Sequence, residues 1–189
     1  MRKIYFLSAL MVILLAFGQQ AHGFTGPGGS GMGGPMMQSP LVAGSDGTAY
    51  VASMNTSGLS SGSITSNITA ITSSGAKQAI SVSGMVKSLV IGKDTSSKDT
   101  LVAVTMIAPT TATTTSGPAT VLSFISLPFN QSATPVSVTL EGMSMSEPVF
   151  VNGYVYVTTT RMTNTTGTQG MTSYLYIIAS NGAVAQYSY

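Results

Sequence analysis

The chain has 189 residues, of which 43% are hydrophobic and only 6% charged, and it contains no cysteine and no tryptophan. The lack of cysteine excludes disulfides, thiol nucleophiles and thiolate metal sites. The formal charge of +2 comes from Arg2 and Lys3. From residue 24 onward Lys77, Lys87, Lys93, Lys98 and Arg161 balance Asp46, Asp94, Asp99, Glu141 and Glu147, so no basic surface for nucleic acid or an anionic membrane is expected.

Residues 1–23 read as a secretory signal peptide. Arg2 and Lys3 precede an apolar run from Ile4 to Phe17, and Ala21-His22-Gly23 supplies small residues before a cleavage point at Phe24. The run is short for a bilayer span, which needs ~20 residues, so no stable membrane segment is expected after cleavage; an uncleaved anchor is the alternative. His22 is the sole histidine, and the chain beyond the signal has none. Residues 24–38, FTGPGGSGMGGPMMQ, are too rich in Gly and Pro to offset the cost of ordering a backbone and read as a flexible arm. Met32, Met36 and Met37 in this arm are weak Cu(I) candidates, because thioethers are soft ligands. Their spacing lacks a repeated Met-x-x-Met.

From Ser39 the text changes to short alternating runs of Val, Ile, Tyr and Thr, separated by Gly, Asn, Asp and Ser, which is a strand-and-turn pattern. The first phrase, SPLVAGSDGTAYVAS, predicts a hairpin turning at Asp46-Gly47, and Ser66–Val82 predicts a second turning at Ser74-Gly75. A looser copy follows, with one hairpin across KDTSSKD and another within Thr120–Leu140. The third copy turns at Asn152-Gly153, within SEPVFVNGYVYVTTT, and again at Asn181-Gly182. Pro40 and Pro148 stand 108 positions apart, and Ser66–Val82 matches Ser173–Tyr189 at an offset of 107. The chain is therefore read as three units of four short strands, about 39–84, 85–142 and 143–189, within one repeat domain over 39–189.

The phrase SPLVAGSDGTAYVAS…ITAITSSGAKQAISV resembles a blade of the PQQ-like, quinoprotein-type β-propellers, and SEPVFVNGYVYVTTT…SYLYIIASNGAVAQYSY has the same layout. The resemblance covers about residues 39–189 and is weakest in the middle unit. It implies an all-β fold of three four-stranded antiparallel propeller-like blades, a partial propeller. The chain departs from the family in lacking the tryptophan between blades and the Asp before the second turn, where Thr72 and Ala179 stand. Three blades leave an uncovered face at each end, and a homodimer closing a six-blade ring is one expected outcome.

Chemistry is sparse. Asp94 and Asp99 in KDTSSKD read as a solvated turn rather than a calcium loop, which would draw on more closely spaced acids. Glu141 and Glu147 bracket GMSMS; they are read as loop-rim residues, with an acid–base pair as the alternative. Met143 and Met145 lie between them. Without His or Cys, triad catalysis is excluded. Tyr154, Tyr156, Tyr174, Tyr176, Tyr187 and Tyr189 crowd the last unit. Most are read as strand packing, with Tyr187 and Tyr189 as partner contacts. Asn55, Asn67, Asn130 and Asn164 fit the N-glycosylation pattern. No cofactor and no catalytic residue is expected. The functional expectation is a non-catalytic interaction or scaffold module, secreted, periplasmic or at the cell surface, whose partner is another protein or a second copy. The alternatives are a surface adhesin or envelope-structural protein, and a remnant of a quinone- or metal-dependent oxidoreductase.

Overall fold

The computed structural model describes residues 39–55, 64–107, 117–132, 134–165 and 168–189. The signal, the arm and Met32, Met36 and Met37 lie outside the described residues, as do the side chain of Asn164 and most of the linker before Gly117. The described chain is all-β, in three antiparallel sheets that do not close on one another.

The first sheet is β1 (Leu41–Ala43), β2 (Ala49–Asn55), β3 (Thr65–Ile71) and β4 (Lys77–Ser83), paired in that order. The second is β5 (Met85–Lys93), β6 (Asp99–Ile107), β7 (Ala119–Ser126) and β8 (Val136–Glu141), also in chain order. The third runs β10 (Val149–Val151), β11 (Tyr154–Thr165), β12 (Thr168–Ala179) and β13 (Val184–Ser188), with the two-residue β9 (Met143–Ser144) also pairing with β11. The fifth strand goes beyond the four-strand expectation. In the second sheet the matching stretch is one strand, β5, whose register slips between Val86 and Ser88. In the third sheet Ser146-Glu147-Pro148 intervenes, and Pro148 has no N–H to give a ladder. The stretch therefore divides into β9 and β10.

The sheets stack face to face in chain order. Side chains alternate between faces along a strand, so β6 sends Leu101 and Ala103 to the first sheet and Val102 and Val104 to the third. From the first sheet, Tyr50, Ala52, Ile68 and Ala70 meet Leu101, Ala103 and Ile125. On the other side of the second sheet, Val104, Leu122, Phe124 and Leu140 meet Val155, Val157, Tyr176 and Ile178. Phe150 of the third sheet lies over Gly92, where an added Cβ would run into the ring. The middle sheet is thus buried on both faces and the outer sheets on one.

Each sheet has a rear face, which in the second and third sheets meets the preceding sheet, and a forward face opposite it, which in the first and second sheets meets the following one. Cross-strand register aligns the three sheets. Tyr50 lies opposite Ala70, Val102 opposite Phe124 and Tyr156 opposite Ile177, all on forward faces. Ala49 and Ile71, Leu101 and Ile125, and Val155 and Ile178 are the matching rear-face pairs.

Both junctions between sheets are built alike. The Ser66 hydroxyl donates to the Gly84 carbonyl at 2.8 Å and accepts from the Val86 amide at 3.2 Å. The Thr120 hydroxyl donates to the Gly142 carbonyl and accepts from the Ser144 amide, both at 2.8 Å. Gly84 and Gly142 have φ of +86° and +84°, a region that favours glycine. A Cβ at Gly84 would stand 2.6 Å from the Met106 carbonyl oxygen, and one at Gly142 2.6 Å from that of Thr160. Met106 and Thr160 occupy the same register position in successive sheets, one residue after Thr105 and Thr159.

Candidate interaction face

Among the described residues no sheet lies over the forward face of the third sheet. Val149 and Val151 of β10 lie opposite Tyr156 and Tyr154 of β11. These continue across the sheet to Ile177 and Ala179, and then to Ala185. Further along, Thr158 lies opposite Leu175, and Leu175 opposite Tyr187. Tyr189, whose amide donates to the Ser173 carbonyl at 3.1 Å, extends the same face. Tyr187 is 56% exposed and Tyr189 76%. Met162 and Met171 pair across the far end of the long β11–β12 hairpin and are also exposed. None of these positions carries a charge. A contiguous apolar and aromatic surface of this kind is costly to leave in water and marks interaction sites.

The six tyrosines of the last unit therefore divide by strand parity. Tyr174 and Tyr176 point to the second sheet, with ring centroids 6.1 Å apart. Tyr154, Tyr156, Tyr187 and Tyr189 point the other way. Tyr187 and Tyr189 thus share a face with Tyr154 and Tyr156, two residues that sequence reasoning had assigned to packing. Burial raises the pKa of Tyr176, as it does that of Tyr50. Among the described residues the Tyr176 hydroxyl lies near the Glu141 backbone and Thr159 without meeting hydrogen-bond geometry.

The carboxylates organise turns and edges. Asp94 accepts from the amides of Ser96 and Lys98 at 2.8 and 2.9 Å. Asp99 pairs with Lys93 at 2.9 Å, and Glu141 with Arg161 at 2.7 Å rather than with the exposed Glu147. Asp46 accepts from the Thr48 amide at 2.9 Å, and this bond holds its pKa below the usual 3.8. Lys87, at the register slip, donates to the Ser144 carbonyl across the second junction. Met143 shares the third sheet's forward face beside Thr160, and Met145 is exposed in the loop that follows.

Two clefts lie where the hairpin turns of neighbouring sheets meet. One, of about 350 Å³, is lined by Lys93, Asp94, Phe150 and Asn152 among others. The other, of about 230 Å³, is lined by Asp46, Lys98, Asp99 and Leu127 among others. Their acids are those already engaged by turn amides or by Lys93. Among the described residues no group of three or more His, Cys, Asp or Glu gathers as a metal site, and no helix is long and apolar enough to cross a membrane. Of the glycosylation-pattern asparagines, Asn67 lies on the rear face of the first sheet, and Asn130 is exposed with its side chain accepting from the Ser132 amide.

No protein-family model, curated protein or solved structure matches this chain.

Sequence reasoning did not find the Ser66 and Thr120 bridges or the Gly84 and Gly142 contacts. Their only signal is the shared Gly-Met at 84–85 and 142–143, each following the last strand of a sheet. In a chain this rich in Ser and Thr, a bridging hydroxyl has no contrast against its neighbours.

Proposed function

We propose that the chain is a non-catalytic interaction module that acts outside the cytoplasm and binds a protein partner through the forward face of its third sheet. The observation that carries this reading is the uncharged surface of Val149, Val151, Tyr154, Tyr156, Tyr187 and Tyr189. Tyrosines supply large contact area with few rotatable bonds, and fully buried aromatic anchors dominate binding energies. The extracytoplasmic setting rests on the N-terminal signal pattern, and the sparse charge and abundant Ser and Thr are in keeping with it. Three antiparallel sheets stacked in chain order support the reading of the repeats as PQQ-like, propeller-type blades. That likeness concerns architecture and brings no reaction with it.

The test places a photo-crosslinking amino acid at Tyr187 in producing cells, with the exposed turn residue Lys98 as the control position. A discrete adduct from position 187 and none from position 98 is the expected result. No adduct at 187, or the same diffuse products from both positions, would remove the reading.

A further inference from the structure

We infer that the partner of the third sheet's forward face is the rear face of the first sheet in a second copy of this chain, joined head to tail. The inference rests on the interaction reading above and names its occupant. Within the chain, two forward faces are already covered, and in both cases by a rear face of one recurring pattern. The second sheet presents Leu101, Ala103 and Thr105 on β6, with Ile125 opposite Leu101. The third presents Val155, Val157 and Thr159 on β11, with Ile178 opposite Val155. At the same register positions the rear face of the first sheet carries Ala49, Val51 and Ser53, with Ile71 opposite Ala49. An isoleucine, a small aliphatic residue and a hydroxyl thus recur at matching places in all three rear faces. Among the described residues only the first sheet's copy faces away from the stack.

The other half of the junction recurs as well. The third sheet's forward face places Tyr156, Leu175 and Ile177 where the first sheet has Tyr50, Ile68 and Ala70 and the second has Val102, Leu122 and Phe124. Ser173 occupies the position of the bridging hydroxyls Ser66 and Thr120. Each of the three lies opposite the last strand of its sheet, at Tyr189, Val82 and Leu140 respectively. The contact surface proposed between copies therefore continues, in both of its halves, an interface that the chain builds twice within itself. The rear face of the first sheet carries a single charge, Lys77, opposite Ile71 at its edge. A heterologous contact of this kind closes into a ring or runs on as a filament, depending on the rotation per step.

Light scattering after size exclusion, over a dilution series of the purified protein, is the experiment. Expected is a reversible assembly of at least twice the chain mass. Tyr187→Lys on one face and Thr69→Lys on the other each reduce it to monomer, with an unchanged circular dichroism spectrum. Mixing the two variants restores a 1:1 complex, because each retains the face that the other lacks. If Thr69→Lys does not fold, Ala79→Glu, on the exposed last strand of the same face, takes its place. Loss of assembly in Tyr187→Lys alone, with Thr69→Lys assembling normally, would show third sheets pairing with each other and overturn the inference. A wild-type monomer at about 100 μM overturns it too. A crosslink from position 187 to a different protein in that case leaves the interaction reading standing, and no crosslink removes both.

Discussion

Four of the hairpins turn on one hydrogen-bonded frame. In each, the first residue of the turn donates its amide four residues ahead, and the fourth donates back to the first. The pairs are Gly44 with Thr48 and Gly47, Thr72 with Ala76 and Gly75, Asp94 with Lys98 and Ser97, and Ala179 with Ala183 and Gly182. The fourth residue has positive φ every time, and it is glycine in three of the four. Ser97, at +62°, is the exception. A side chain in the left-handed region crowds its own carbonyl by about 1–2 kcal/mol, partly offset by the greater unfolded-state freedom of glycine. Ser97→Gly is therefore expected to stabilise the fold by about 0.5–1 kcal/mol, a rise in Tm of about 1–3 °C for a chain of this size. Thermal unfolding checks it, and an unchanged or lower Tm would mean that Ser97 has contacts outweighing its backbone strain. The nearby Lys93–Asp99 pair is solvent-exposed and contributes little to that comparison.

The glycines that end the first two sheets differ from open turn glycines such as Gly47 and Gly75, whereas the turn glycine Gly153 also approaches the neighbouring sheet, where a Cβ would stand 2.8 Å from the Thr95 backbone. Gly75 and Gly142 have nearly equal φ, +83° and +84°, but a Cβ at Gly75 meets nothing within 4 Å, whereas one at Gly142 meets backbone of the next sheet at 2.6 Å. Gly75→Ala reports the left-handed backbone net of the unfolded-state freedom of glycine, about 0.5–1 kcal/mol by the same balance as at Ser97. Gly142→Ala is expected to cost about 2 kcal/mol beyond that, because two backbones must separate. Equal losses in denaturant titrations of the two variants would mean that the junction yields freely. This distinction also marks what sequence could and could not convey. The turns at Asp46-Gly47, Ser74-Gly75, Asn152-Gly153 and Asn181-Gly182 were legible because a local backbone requirement selects glycine whatever surrounds it. So were the alternating strands and the grouping into three antiparallel sheets, since hydrophobic period 2 and turn spacing are local properties. Gly142 was not legible as a contact, because its neighbour Thr160 approaches only once sheets stack. Division of the tyrosines was half legible. Parity separates Tyr154 and Tyr156 from Val155 and Val157, but which parity meets the second sheet is a property of the stack. The separate β9 was missed because it depends on β11 outrunning β10 and leaving part of its edge open.

Among the described residues the three sheets form a stack in which only the central sheet is covered on both faces, and this asymmetry fixes where stability concentrates. Burial of a large aliphatic side chain contributes about 1.5–3 kcal/mol. β6 and β7 each carry an unbroken run of six buried residues, Thr100–Thr105 and Thr120–Ile125, whereas β13 is exposed along its whole length. An amide in β6 or β7 is freed only when both interfaces open, while one in β4 or β13 is freed by loss of an outer strand. Native-state hydrogen exchange on the purified protein is therefore expected to give the slowest amides within Leu101–Thr105 and Val121–Ile125, with β4 and β13 exchanging by local opening orders of magnitude faster. Dilution adds a second reading of the same experiment. If copies join through Tyr187 and Tyr189, protection of β13 rises with protein concentration and that of β6 rises with it, because assembly covers the outer strand directly and the opening that frees β6 must also separate the copies. Uniform protection across all three sheets would instead describe a single cooperative block, in which the uncovered faces cost the outer sheets nothing.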